Sequence, residues 1–275
     1  MNHINSTNTG WSRFKFPDTV IKWSIYMLIL VFIWFSLIYL NIHLGRSLTM
    51  FGRIWHLLYF RYYPPRISHV LSRGYLWSIV ETIQMAFLGT LIGTVLAIPF
   101  SWFASFNVTP NKKILYPLGR GVIIASRSVH EMIWTIIFVI ILGYGMLPGV
   151  IALTLRTLGF SGKLFAEEIE AIDRGQVEAI QATGANPLQL LCFAVLPQVK
   201  VAWTGITIYA WDSAFRAATV VGFFGAGGMG WYLRRAVDQI QYHRVAAILL
   251  SIIILVVVSE ITSAWARSKV ASQTS

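Results

Sequence analysis

Charge is what this chain has least of. Only 12% of its 275 residues are Asp, Glu, Lys or Arg, against about 25% in an ordinary soluble domain. That is too little to coat a soluble globule of this size, and it excludes a soluble enzyme, a disordered chain and a coiled coil. Cysteine is nearly absent: Cys192 stands alone, which excludes a disulfide framework and a cysteine-based zinc site. Acids are scarce even among the charged residues, 11 against 22 Lys+Arg, for a formal net charge of +11. In a chain that is 56% apolar, such a surplus anchors loops at lipid headgroups rather than binding nucleic acid. No G-x-x-x-x-G-K-S/T phosphate loop occurs, so by that motif the chain does not bind ATP itself. Strand-like alternation is missing as well.

What the sequence does have is long apolar runs. A span needs about 20 such residues, because a helix rises about 1.5 Å per residue through a core about 30 Å thick, and such runs satisfy their own backbone only as helices. Six qualify: Trp23–Ile42, Tyr75–Phe103, Pro117–Leu142, Pro148–Ala166, Val199–Val221 and Val245–Trp265. The first is longer than a signal-peptide core and bulky residues follow it, so it reads as an uncleaved span. The expectation is an all-α, polytopic membrane helix bundle. It has a cytoplasmic tail over residues 1–22, one transmembrane domain over 23–266 and a cytoplasmic tail over 267–275. Residues 44–74, where Arg alternates with Trp, Tyr and Phe, read as a periplasmic or interfacial loop. Residues 167–198, with Glu167, Glu168, Glu170, Asp173 and Glu178, read as a polar cytoplasmic segment. The Lys/Arg balance, eleven on the cytoplasmic side against eight outside, has the expected sign for an N-terminus inside.

Within that polar segment, Glu178-Ala-Ile-Gln-Ala-Thr-Gly184 is followed by Leu196-Pro197. This resembles the Glu-Ala-Ala motif of permease subunits in binding-protein-dependent ABC importers. Glu178, Ala179, Gly184, Leu196 and Pro197 match; Ile180 and Ala194 depart from it. The resemblance implies a short coupling helix, a glycine turn and a second short helix, with Asn186 and Pro187 opening the latter. Gly184 suits a positive φ and Pro187 a first helical turn. Ser126–Trp134, Gly175–Pro187 and Ala218–Gly230 together resemble the phosphonate-type permeases of the methionine-permease-like fold, over about residues 45–266. Ala210 and Ala218 stand where that family suggests Arg and Ser. The resemblance implies import of a phosphorus oxyanion (phosphonate, phosphite or hypophosphite) across a bacterial inner membrane. It further implies two copies of an ATPase subunit that bind the ATP and Mg, a periplasmic binding protein and a second copy of this chain. The chain itself is expected to be non-catalytic and to hold no cofactor or metal.

Charges inside apolar runs cost about 2.5–3.5 kcal/mol each on insertion scales, so they face the bundle or a wet cavity. Arg127, His130 and Glu131 fall at i, i+3 and i+4, and share one face of a continuous helix. Asp212 and Arg216 fall at i, i+4. These five are candidates for a translocation path, or for ion pairs that hold helices together. Arg156 could pair with Glu81 or Glu260. Gly222, Gly225, Gly227, Gly228 and Gly230 read as a tight turn at the outer mouth. The literal G-x-G-x-x-G at 225–230 lacks the strand and the distal acid that a dinucleotide site needs. Two rivals remain: an intramembrane serine protease using Ser161, within a G-x-S-G string, with His243, and a passive anion channel.

Overall fold

The computed structural model describes residues 18–40 and 44–272. Among these every regular element is helical. The chain divides into two units, Met1–Phe60 and Arg61–Ser275.

In the first unit, α1 (Asp18–Tyr39) is apolar on all sides, and none of its span is buried in the protein. A helix with no polar face and no protein cover is suited to lipid. The last expected residues of this span, 41 and 42, and the N-terminal tail up to residue 17 lie outside the described residues. α2 (Leu44–Leu57) has the opposite character. Phe51, Ile54 and Trp55 stand exposed on one face of the helix and Arg53 on the other, an amphipathic pattern.

The second unit is built on α4 and α7. After the single turn α3 (Ile67–Val70), α4 (Arg73–Ala104) runs the length of the bundle. Then α5 (Leu115–Ser128) and α6 (Glu131–Leu142) follow, meeting at a bend of 89°. The expected third span, 117–142, is therefore not one helix. His130 caps the N-terminus of α6, its Nδ1 accepting from the Met132 N–H at 3.3 Å. A side-chain cap replaces the backbone bond that a continuous helix would make. Next come α7 (Met146–Glu170), α8 (Arg174–Ala182), α9 (Pro187–Leu190), α10 (Leu196–Val221), α11 (Gly228–Asp238) and α12 (Tyr242–Ser272). A wide π-helical turn at Leu191–Val195 precedes α10, and a kink at Gly225 precedes α11.

Four helical stretches are long and apolar enough to cross a membrane: Thr19–Tyr39, Arg73–Ala104, Pro187–Ala226 and Tyr242–Val270; the bent pair adds a fifth if it crosses as one. The expected fourth span, 148–166, is present as α7, but α7 does not meet that test. The reason is its position. It packs against α4, α5, α6 and α10 and buries Gly149, Ala152, Thr154, Thr157, Gly159, Ser161 and Gly162. A helix lined by other helices needs small residues for close approach, not lipid-facing bulk. At Gly93 a β-carbon would sit 2.6 Å from Thr157 Cβ and 2.7 Å from the Thr154 carbonyl.

The bundle has two distinct ends. At one, Arg120 binds Glu170 at 2.7 Å and the Ala104 carbonyl at 2.9 Å, gathering α4, α5 and α7 beside α8. At the other, the Arg66 N–H donates to the His243 carbonyl at 2.9 Å and the Gly145 N–H to Gly225 at 3.2 Å. A test of the α4–α7 contact follows. Gly93→Val is expected to destabilise the bundle by about 1–3 kcal/mol through overpacking and to lower the thermal midpoint of purified protein. Gly121→Val, which meets nothing within 4 Å, is expected to leave the midpoint unchanged.

Candidate functional site

At the α8 end, the segment between α7 and α10 forms a short arm held to the bundle by an apolar root. Val177 is the buried residue of α8. It joins a cluster with Phe165, Ile169, Leu191, Val195 and Trp203, in which Phe165 and Trp203 stack at 4.4 Å between ring centres. Asp173 opens α8 by accepting the Gly175 N–H at 2.9 Å, and its own N–H donates to Gln198 on α10 at 3.0 Å. The arm reverses at Gly184, whose φ is +79° with no atom within 4 Å of a β-carbon. The demand there is purely conformational. Asn186 then starts α9 with a reciprocal capping box to Gln189, 2.8 and 2.9 Å, with Pro187 in its first turn. Glu178, Ala179, Gly184, Asn186, Pro187 and Pro197 all lie on the exposed side, with Leu196 half-buried. Two bulky apolar residues join them, Leu188 at 61% and Phe193 at 69% exposure. Phe193 is not among the sequence candidates; in a one-dimensional reading it belongs to the apolar run leading into α10.

Midway along the bundle lies a charge cluster. Glu131 Oε1 is 3.5 Å from Arg156 Nε, and Glu131 Oε2 is 3.5 Å from His130 Nε2. Arg156 Nη2 donates to Ser213 Oγ at 2.6 Å. One residue earlier on α10, Asp212 binds Arg216 at 3.0 Å and accepts the Ser259 hydroxyl of α12 at 3.1 Å. The cluster thus ties α6, α7, α10 and α12 together through charge-assisted contacts that are half-buried except for the buried Ser259–Asp212 bond. Asp212 is 6% exposed while its partner Arg216 is 44% exposed, so the acid is structural in placement and the guanidinium faces open space. Two expectations are corrected. Arg156 pairs with Glu131, not with Glu81 or Glu260; Glu260 is exposed on α12. Arg127, His130 and Glu131 do not share a helix face, because the chain bends between Ser128 and Glu131. Arg127 is exposed near the end of α5, its stem against Gly159, with no carboxylate partner among the described residues. The hydroxyls of Ser213 and Ser259 carry no sequence signal that separates them from ordinary serines in apolar helices.

At the far end, Gly225, Gly227 and Gly228 take φ of 110°, 86° and 64°, and the chain folds back so tightly that Gly222 and Gly230 touch backbone to backbone. Only glycine fits both demands. The freed N–H groups at the start of α11 are capped from α4: Glu81 Oε2 accepts from Gly228 at 3.0 Å and Thr82 Oγ1 from Met229 at 2.9 Å. Glu81 is therefore a helix cap.

The arrangement does not support a serine protease. Ser161 is fully buried and its hydroxyl has no partner. It lies fifteen residues into α7 from the α11 end, about 22 Å at the helical rise. His243 is exposed at that end with Nδ1 3.1 Å from the Pro64 carbonyl. A nucleophile and its base must come within hydrogen-bonding reach.

Comparison with known proteins agrees with the helical bundle. The family model described as binding-protein-dependent transport system inner membrane component matches residues 89–272. Over 193 residues the chain is 42% identical to the phosphite transport system permease protein PtxC of Stutzerimonas stutzeri, covering 70% of this chain and 69% of that one. It is 37% identical over 196 residues to the phosphate-import permease protein PhnE of Mycolicibacterium smegmatis, covering 71% of this chain and 36% of that longer one. The inward-facing structure of the MetNI methionine ABC transporter superposes with a TM-score of 0.59 at 20% identity, over 73% of this chain and 99% of that one, a likeness of fold. The chain belongs to the inner membrane components of binding-protein-dependent transport systems.

Proposed function

We propose that this chain is the permease subunit of an ABC importer for a phosphorus oxyanion such as phosphite, phosphonate or hypophosphite, in a bacterial inner membrane. The observation that carries the transport reading is the exposed arm from Arg174 to Leu190. It is rooted by Val177, turned at Gly184 and stiffened by the Asn186 cap. A projection with Leu188 exposed on it and Phe193 exposed just beyond it is built to seat in a groove on another protein. In this reading the partner is an ATPase subunit, one under each of two copies of this chain, and the ATPase holds ATP and Mg. This chain is non-catalytic. A periplasmic binding protein delivers the substrate to the α11 end. The substrate class rests on the names of the relatives and on the guanidinium groups of Arg127, Arg156 and Arg216 in the bundle. ATP-driven closure of the ATPases moves the arms, and α7 and α10, which flank the arm, carry that motion to the charge cluster.

The test is uptake of labelled phosphite or phosphonate by proteoliposomes holding the whole complex. Uptake that requires the binding protein and internal ATP supports the reading; equal uptake without ATP marks a passive channel. Gly184→Val places a β-branched side chain at positive φ, a strain of about 1–3 kcal/mol in a water-exposed turn. Insertion is expected to be unchanged, while ATPase co-purification and uptake fall at least tenfold. Normal values of both would remove the arm from coupling.

The Asp212–Arg216 pair separates a path role from a packing role. Arg216→Met alone strands a buried carboxylate and is expected to impair assembly. Adding Asp212→Asn removes both charges, and Asn can still accept from Ser259. The double variant is expected to insert as wild type does and to lose uptake at least tenfold, with basal ATPase activity retained. Full uptake per inserted complex would leave Arg216 only a packing role.

A further inference from the structure

The end of the bundle remote from the arm carries cations with few counter-charges. No acid occurs between Asp18 and Glu81, and α11 has one, Asp238, which lies 3.7 Å from Arg234. A small cavity of about 130 Å³ opens here between α3, α11 and the start of α12. Its polar lining is His69, Tyr232, Arg235, Gln239, Gln241 and Arg244. No carboxylate lines it, and neither Arg235 nor Arg244 has an acidic partner among the described residues.

Three further observations bear on what the cavity takes. Water occupies about 30 Å³ in the liquid, so the space suits a group of about four or five heavy atoms. Gln241 lines the cavity, and its side-chain oxygen is buried without a hydrogen-bond partner. Turned about its last torsion, the same amide offers two N–H donors to whatever fills the space. The C-terminus of α11 and the N-terminus of α12 both border the cavity, and their opposed dipoles offset, which leaves the two guanidiniums to set the local sign. The field of Arg244 is felt at His69, whose pKa is lowered first by burial and then by Arg244 and Arg66.

We propose that this cavity is a binding site for a tetrahedral phosphate-class oxyanion, held by Arg235 and Arg244 with Gln241 and Tyr232. It is separate from the charge cluster at Asp212–Arg216 and does not depend on the transported substrate. The shared chemistry is a phosphorus-bound oxygen pair facing two guanidiniums, supplied by free phosphate or by the phosphodiester of an anionic lipid headgroup at the membrane surface.

The experiment uses the assembled transporter in phosphatidylcholine nanodiscs. In one arm, thermal unfolding is followed with inorganic phosphate against chloride at equal ionic strength. In the other, phosphatidylglycerol is added to the nanodiscs and retained lipid is counted by native mass spectrometry. At least one probe is expected to bind. Stabilisation by phosphate identifies a free oxyanion, and retained phosphatidylglycerol identifies a headgroup. Arg235→Gln with Arg244→Gln is expected to weaken that binding at least tenfold. Arg73→Gln, a cation at the same end that lines a different recess, is expected to leave it intact. Gln241→Leu, which keeps both cations, is expected to weaken it several-fold, and this separates a built cavity from a general positive field. Binding of neither probe, or binding that survives the double Arg variant in a normally inserted complex, overturns the proposal.

Discussion

How closely α4 can approach α7 decides much of this molecule. Between helices in an apolar medium there is no hydrophobic drive to associate, so contact depends on close packing and on small residues that permit it. Gly89 and Gly93 of α4 lie directly against Leu153 and Thr157 of α7, and Gly149 of α7 lies against Met85 and Ala226. With α4 on one side and α5, α6 and α10 around the rest, α7 is largely removed from lipid. That enclosure lets α7 carry Thr154, Arg156, Thr157 and Ser161, residues that would be costly on a lipid face.

Arg156 is the consequence that matters most. Its guanidinium meets Glu131 just beyond the 89° bend and Ser213 on α10. The preceding residue, Asp212, reaches Arg216 and Ser259. The bend between α5 and α6 thus sits where the charges are, and the same helices that hold them, α7 and α10, lead out to the arm. In the proposed mechanism a shift of the arm reaches the charge cluster along α7 and α10 and the polar bonds that join them. Breaking one partner of such bonds is expensive, which favours motion of the cluster as discrete rearrangement rather than gradual loosening.

Much of this was legible in the sequence, for identifiable reasons. The arm was, because Gly184, Asn186 and Pro187 act locally: a positive-φ turn and a capped helix start need no distant partner. The glycine turn at 222–230 was, for the same reason. The bend at residues 129–130 was not. Apolar content runs unbroken from Pro117 to Leu142 apart from its charges, and the break is made by the His130 side chain taking over a backbone bond. The partner of Arg156 was not, since Glu81, Glu131 and Glu260 are equal candidates until the helices are placed in space. Glu81 shows the cost of reading charge alone: it serves the N–H of Gly228, 147 residues away. α7 falls below the apolar threshold that marks a lipid-facing span because a helix enclosed by other helices can carry small and polar residues.

The central claim, that the segment from Arg174 to Leu190 is where an ATPase engages, is tested most directly by site-specific photo-crosslinking in the intact complex. A crosslinker at position 188, at the tip of the arm, is compared with one at position 239, at the opposite end of the bundle. The account predicts an adduct with the ATPase subunit, identified by mass, from position 188 and none from position 239. An ATPase adduct from position 239, or no ATPase adduct from position 188 in a complex that hydrolyses ATP, would contradict it.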